Sequence, residues 1–492
     1  MAYIACVAVS FPGRVERLYW NTDAAGAFVL AQLYHLHHTV VIPRFGWWTS
    51  LWWLLATRHL PGHVQLWEAT GYVFAVATAA IIGWATARVA GRGAGLLAAG
   101  CTVVVGRAAL SSLMIVNFHT STPFTAAVLG AYLVGLVRVR SWLLTAGVGV
   151  LAAVNTASDP ILWIAGIAPF AAGACALALL SRRRDIALRG ALVCGITIAG
   201  VITTDRVMGA IGFHIVPVTV QLAGLADVVP NFVKLGKSIA LLFGANHYFP
   251  GIYPSTPLRY AITFIAFAGL ATTLIAAGRF LLRRSQPEAT AYACYWAVSA
   301  LLVSLAFWLT NIGTGVGYTG GVNYLLALVP ATGAGVGLLT ARSNVGRIAA
   351  GLAIAFVGTI NMVGIVNRHR HISAGAGAYG PQIIRFLERR GLKHGYAGYY
   401  DAQSLMWKSG LRMVIGSAQA CPDQVHLCKI PDFTIDTWYK ARPGPTFLIV
   451  DPPQGLAFKP PPTLGRPSEI RRVGPQAVVY VFPRDVISPL VR

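Results

Sequence analysis

The sequence predicts an α-helical polytopic membrane protein of about eleven transmembrane helices, with a small C-terminal α/β domain held outside the membrane. Three observations predict it. Of the 492 residues, 56% are hydrophobic and only 11% charged. Long apolar stretches recur as far as residue 366, and beyond Asn367 the chain acquires ordinary polarity. A soluble domain carries about a quarter charged residues, so most of this surface must have lipid as its solvent.

Apolar stretches long enough to cross hydrocarbon run near 69–87, 94–111, 122–137, 142–156, 160–180, 190–205, 259–279, 290–309, 322–340 and 348–366. Met1 to Phe11 adds a shorter apolar piece, with no signal-peptide cleavage pattern after it. It reads as the outer half of a first helix, and the count of eleven depends on an N-terminus longer than the one written.

Charge sets the orientation, because Lys and Arg in short loops stay on the cytoplasmic side. Arg88 with Arg92, Arg138 with Arg140, Arg182 to Arg184 with Arg189, Arg279 with Arg283 and Arg284, and Arg342 with Arg347 fall in alternate loops. The intervening loops near 112–121, 155–159 and 310–321 contain no Lys or Arg. This alternation puts 13–68, 206–258 and everything after about residue 367 outside the cytoplasmic membrane. The net charge of +23 is thus partly a topological signal. Nucleic acid is not expected as a partner, since that would need a basic face on a soluble domain.

Two domains follow: a membrane domain over 1–372 and an extracytoplasmic α/β domain over 373–492. Within the first, 13–68 holds AAGAFVLAQLYHL and WWTSLWWLLATRHL, and 206–258 holds VVPNFVKLGKSIALLFG. These resemble helices lying in the interface, and together they would roof a cavity open to the bilayer. In the second domain GPQIIRFLERRG reads as a helix ended by Gly391, HGYAGYY as a strand and DAQSLMWKSG as a helix. RMVIGS, TFLIVD and AVVYVFP read as further strands. Cys421 and Cys428, in CPDQVHLC, fit a disulfide in an oxidising compartment; their spacing matches no common zinc pattern. The other five cysteines lie in apolar stretches as small buried thiols.

Carboxylates before residue 373 are scarce, and only Asp185 and Glu288 among them fall on the cytoplasmic side. The outer carboxylates are therefore the place to look for chemistry. Asp23, in YWNTDAAGAF, reads either as a general base taking a proton from an acceptor hydroxyl or as a helix N-cap. Asp159, in NTASDPILW, is a natural cap before Pro160 that could also face a shared outer cavity. Glu68 is ambiguous in the same way. His119 stands in a loop with no other charged residue, as an interfacial side chain or as a contact to phosphate or acceptor. Arg44, Arg58, Arg206, Lys234, Lys237 and Arg259 oppose the positive-inside bias, either to hold an anionic headgroup or to snorkel. Walker A, HExxH and GxSxG patterns are absent.

The layout resembles the GT-C superfamily of polytopic membrane glycosyltransferases, in particular its bacterial protein O-mannosyltransferase and aminoarabinose-transferase branch. The features that carry the resemblance are Asp23 just after the first helix, the tract GYTGGVNYLLALVP, and the terminal HGYAGYYDAQSLMWKSGLRMVI. The resemblance implies a hexosyl- or pentosyltransferase that moves a sugar from a polyprenyl-phosphate donor to an envelope glycan, lipid or protein acceptor. The reaction would take place at the outer face of the plasma membrane, with Asp23 as catalytic base. It implies substrate contacts from Asp159 and His119, and from Tyr324 and Asn323 of the late-helix tract. Many relatives have Arg where this chain has Asn323, so Lys234, Lys237 or Arg206 would meet the phosphate instead. Some relatives bind a divalent cation, although no compact carboxylate cluster stands out to hold one. Two other classes remain open: a lipid or glycan transporter, which a continuous pore through repeated helices would favour, and a scaffold whose outer domain binds a partner, which the lack of any cavity would favour.

Overall fold

The computed structural model describes residues 2–10, 22–34, 39–44, 46–60, 63–114, 119–138, 141–217, 219–248, 254–283, 286–315, 321–367, 379–423, 425–430, 432–452, 456–460, 465–474 and 476–491. The chain divides into two compact units. The first comprises Met1–Pro12, Gln65–Thr204 and Val218–Arg370; the second comprises Gly13–Val64, Asp205–Pro217 and His371–Arg492.

The first unit is helical. Six helices among the described residues are long and apolar enough to cross a membrane: Gln65–Ala90, Trp163–Ser181, Arg184–Ala210, Thr256–Arg283, Pro287–Leu309 and Asn344–Val366. Three shorter apolar helices accompany them, Ser121–Gly135, Trp142–Ser158 and Leu328–Thr340. The expected count of about eleven meets a more broken architecture. The stretch expected near 94–111 is two helices, Arg92–Val103 and Arg107–Met114. Between them the Gly106 N–H leaves its own ladder and donates to Leu242 O at 2.5 Å. The late stretch is broken as well, into Gly321–Tyr324 and Leu328–Thr340.

Small residues let this bundle close. A Cβ on Gly333 or Gly337 would strike the Arg92–Val103 helix, and one on Gly335 would strike Thr273 of the opposite neighbour. Leu328–Thr340 is thereby wedged between two helices, as packing without a hydrophobic driving force requires. Pro287–Leu309 is the central helix, with Tyr292, Tyr295 and Trp296 fully buried. The peripheral helices instead present large apolar side chains such as Leu143, Phe264 and Leu282 outward, as a surface facing lipid does.

The arginine-bearing ends gather locally. Arg183 Nη1 donates to Val137 O at 2.8 Å, Arg138 lies 3.6 Å from Glu288, and Arg347 Nη2 donates to Ala341 O at 2.8 Å. The helices Ser121–Gly135 and Trp142–Ser158 therefore have one basic end, near Arg138 and Ser141, and an opposite end at His119 and Asp159 that carries no Lys or Arg.

The second unit is α/β. Its small sheet joins β1 (Val40–Pro43) in parallel to β2 (Phe213–Val216) and antiparallel to β6 (Thr434–Ile435). Its main sheet holds β3 (His394–Ala397), β4 (Val414–Ala420), β5 (Leu427–Lys429), β7 (Thr446–Val450), β8 (Glu469–Val473) and β9 (Ala477–Phe482) in the order β5-β4-β3-β7-β9-β8. The central strands β4, β3 and β7 run parallel, β5 and β9 run against them, and the edge strand β8 pairs antiparallel with β9. The runs HGYA of β3 and TFLIV of β7 are buried throughout, as the strands of a covered parallel sheet are. Gly380–Arg389 is the expected helix, and Gly391 beyond it takes φ 64°, the left-handed geometry that ends a helix without a Cβ penalty. Cys421 and Cys428 form a disulfide with Cα atoms 5.1 Å apart.

One expected interfacial element is corrected. AAGAFVLAQL lies in the helix Thr22–Leu33, whose Ala25, Ala27, Phe28, Val29, Leu30 and Ala31 are all buried. It packs on the helix Tyr399–Lys408, with Phe28 and Trp407 rings 5.2 Å apart and Gly26 directly on Phe433. The segment is apolar on every side and lacks a charged face, which suits a core helix better than an interfacial one. By contrast Leu225–Leu242 does keep two faces. Leu225, Val229, Phe232 and Val233 are exposed, and Leu235, Ser238, Ile239 and Leu242 are buried.

Candidate functional site

The polar residues of the first unit converge where the helices Ser121–Gly135 and Trp142–Ser158 have the ends that carry no Lys or Arg. The Trp142–Ser158 helix stops at Asp159, whose N–H still reaches Asn155 O at 2.7 Å. Pro160 follows and cannot continue the ladder. The carboxylate then turns back on the next segment, and Oδ1 accepts from Ile161 N–H at 3.2 Å. The helix-capping role and an inward-facing carboxylate are thus both realised in one residue, which is completely buried.

Asp159 Oδ2 lies 2.9 Å from His119 Nδ1 and accepts from the Thr122 hydroxyl. The His119 contact has the distance of an ion pair without the alignment of a hydrogen bond. Thr122 Oγ1 in turn accepts from Asn155 Nδ2 at 3.3 Å. His119 is itself buried and sits at φ 31°, a left-handed conformation that costs a non-glycine residue on the order of 1 kcal/mol. Its ring lies 4.9 Å from that of Tyr324, and the neighbouring Asn323 accepts from the Ser112 hydroxyl. Four of the sequence candidates, Asp159, His119, Asn323 and Tyr324, therefore share one site.

Beside them stands a group of cations. The helix Leu225–Leu242 packs against Arg107–Met114 and Gly321–Tyr324, and its Ser238 touches Gly321 closely enough that a Cβ there would clash. Ser238 Oγ shares a hydrogen bond with Tyr248 OH at 2.8 Å, and Lys237 Nζ lies 5.8 Å from the Tyr248 ring. Lys234 donates to Gly313 O at 2.6 Å. Buried Arg259 donates to Pro254 O at 3.2 Å, and His247 Nε2 lies 2.7 Å from Thr263 Oγ1. Burial holds the His247 imidazole below its ordinary pKa, and the positive fields of Arg259 and Lys237 add to this. An apolar pocket adjoins the polar cluster, lined by Tyr3, Tyr72, Thr102, Leu113, Pro123 and Leu326. Leu113 and Pro123 each directly follow a residue of the cluster.

No family model matches the chain, and no curated protein matches it. Among solved structures it is similar to the Archaeoglobus fulgidus oligosaccharyltransferase in complex with zinc and sulfate, at 12% identity and a TM-score of 0.43, over 81% of this chain and 57% of that one. It is likewise similar to AglB of the same organism in complex with an inhibitory peptide and a dolichol-phosphate, at 12% identity and a TM-score of 0.41, over 81% and 60% of the two chains. The chain thus spans about three-fifths of the length of these structures.

The remaining candidates are distributed differently. Asp23 lies in the first turn of Thr22–Leu33 and Glu68 in the first turns of the His63–Ala90 helix, and the side chains of both lie outside the described residues. Arg44 pairs with Asp205 at 2.8 Å within the second unit, so its charge is already answered there; Arg206 is exposed. No three His, Cys, Asp or Glu groups converge among the described residues. Both Asp159 oxygens are already engaged, so the described residues around His119 do not fit a divalent cation.

Sequence reading missed Thr122, Asn155, Ser112, His247 and Tyr248 as members of this site. Spacing held a signal for two of them: Thr122 is three residues after His119, and Asn155 is four before Asp159 on the same helix face.

Proposed function

We propose that this chain is a membrane glycosyltransferase of the GT-C kind. It transfers a sugar from a polyprenyl-phosphate donor at the outer face of the cytoplasmic membrane. The observation that carries the proposal is the gathering of Lys234, Lys237, Arg259 and Tyr248 on and around the helix Leu225–Leu242, which packs on the Gly321–Tyr324 segment whose Tyr324 ring meets that of His119. A lipid phosphate leaving from an anomeric carbon develops negative charge, and preorganised cations next to an apolar pocket stabilise it without a separate acid. Lys237 and Tyr248 are assigned to that phosphate, and the pocket between Tyr3 and Leu326 to apolar chain. His119 and Asp159 fix the floor of the site. Asp23 is assigned the role of base on its sequence position, at the opening of a helix that follows the first apolar piece; a carboxylate there suits proton removal from an acceptor hydroxyl. The C-terminal α/β domain is placed outside with it, and the acceptor is an envelope glycan, lipid or protein.

The test is transfer of sugar from synthetic polyprenyl-phosphate sugars to envelope acceptors by purified protein in micelles. Transfer that Asp23→Asn slows by about 10²–10⁴-fold and Lys237→Met weakens supports the reading. Turnover unaffected by either substitution removes the site assignment, and no turnover with any such donor removes the class.

A further inference from the structure

The main sheet of the second unit carries a feature that glycosyl transfer does not use. Strand β3 has parallel neighbours on both sides, β4 and β7. From β3 the chain passes through Gly398 into the helix Tyr399–Lys408 and returns to β4, whereas β7 lies on the opposite side. The strand order thus reverses beside β3, and open α/β sheets bind ligands in the crevice outside the carboxyl ends of the strands at such a point.

Two carboxylates occupy that edge. Asp401 lies in the first turn of Tyr399–Lys408, and Asp451 immediately follows β7. Ala397 pairs with Ile449, so β3 and β7 run out at the same edge of the sheet. Both carboxylates are only 6% exposed. Asp401 Oδ2 is buried with no hydrogen-bond partner among the described residues, an arrangement that native proteins avoid unless something else satisfies the group. The charge of Asp451 acts on Asp401, and Lys408, about two turns further along the same helix, opposes it only weakly. The helices Thr22–Leu33 and Gly380–Arg389 also pack against Tyr399–Lys408. Among the described residues neither places a cation in an ion pair with Asp401 or Asp451.

We infer that Asp401 and Asp451 form a divalent-cation site at the carboxyl edge of the α/β sheet. A hard cation takes carboxylate oxygens together with main-chain carbonyls and water, and one ion would satisfy the orphaned oxygen and screen the two charges from each other. A sugar or alcohol is the poorer occupant, since its hydroxyls would relieve the missing hydrogen bond but not the repulsion. The site is separate from the His119–Asp159 cluster and does not depend on the glycosyltransferase reading.

The experiment uses the full chain in micelles after chelator treatment. Terbium is titrated with excitation of tyrosine, since Tyr399 and Tyr400 adjoin Asp401, and calcium and magnesium are tested for displacement and for their effect on Tm. The expected result is sensitised terbium emission displaced by one of the two ions, with affinity at least about tenfold weaker in Asp401→Asn and in Asp451→Asn. Asp401→Asn keeps the side-chain shape and removes the repulsion, so it folds without metal and decides the matter even if Asp451→Asn does not fold. Equal terbium affinity in wild type and Asp401→Asn overturns the inference. So does a wild-type Tm that responds to pH and to none of the three metals.

Discussion

His119 Nδ1 and Asp159 Oδ2 lie 2.9 Å apart inside a bundle whose other surfaces are built for lipid. Asp159 is fully buried, and its other oxygen caps the turn at Ile161, so it has both an electrostatic and a structural task. Two substitutions separate the tasks. Asp159→Asn keeps one carbonyl oxygen as acceptor for Ile161 N–H, puts an amide donor in place of the oxygen facing Thr122 and His119, and loses the charge; Asp159→Ala loses every one of these contacts. Removing one member of a buried pair costs roughly 3–5 kcal/mol. Asp159→Ala is therefore expected to lower Tm in micelles strongly, whereas Asp159→Asn lowers it less and reduces sugar transfer. A Tm equal in the two variants would show that the charge matters more to folding than the cap.

Asp23 is the proposed base, and general-base catalysis is worth about 10²–10⁴-fold in rate. Asp23→Asn should lower kcat by a factor in that range. It is the second residue of the helix Thr22–Leu33, and Asn is nearly isosteric with Asp, so Tm should be unchanged. A drop in activity matched by a drop in Tm would assign Asp23 to capping alone.

Lys237 contacts the Tyr248 ring at 5.8 Å and is assigned to donor phosphate. Lys237→Met keeps the apolar stem and removes the charge. The expected result is a KM for lipid-phosphate donor raised about tenfold, with the effect shrinking as salt rises. A change in kcat alone would move Lys237 from donor binding to the transition state.

The sequence made the second unit's sheet legible because its strands are short, apolar and bounded by turn residues; TFLIVD and AVVYVFP became β7 and β9. It concealed β1, β2 and β6, which lie in three distant segments and acquire strand geometry only by pairing with one another. The helix at Phe28 was misplaced for a related reason. Its apolar residues are compatible with lipid or with a protein core, and only the partner Trp407 decides between them. In the candidate site, the arginine-free ends of the helices Ser121–Gly135 and Trp142–Ser158 could be read from the sequence. The meeting of Asp159 with His119 could not, since it depends on where Pro160 stops one helix and where Ser121 starts another.

Asp401 makes stability itself a readout. Burial first, and then the charge of Asp451, raises its carboxyl from an ordinary 3.8 to about 7. The folded state therefore holds this proton more tightly than the unfolded chain does. Its contribution is fully present below about pH 4 and is lost as pH rises through about 7. The loss is on the order of 4 kcal/mol if the burial is maintained. In chelator-treated protein, Tm of the second unit should fall as pH rises from about 5 to about 8. Asp401→Asn cannot ionise and should flatten this profile, with a higher Tm than wild type at the alkaline end. A wild-type profile that rises across the same interval, or one that Asp401→Asn leaves unchanged, would mean that Asp401 ionises as an ordinary surface carboxylate. Added calcium or magnesium should act in the same direction as the substitution, because an ion bound between Asp401 and Asp451 favours the ionised pair and removes the dependence on the proton.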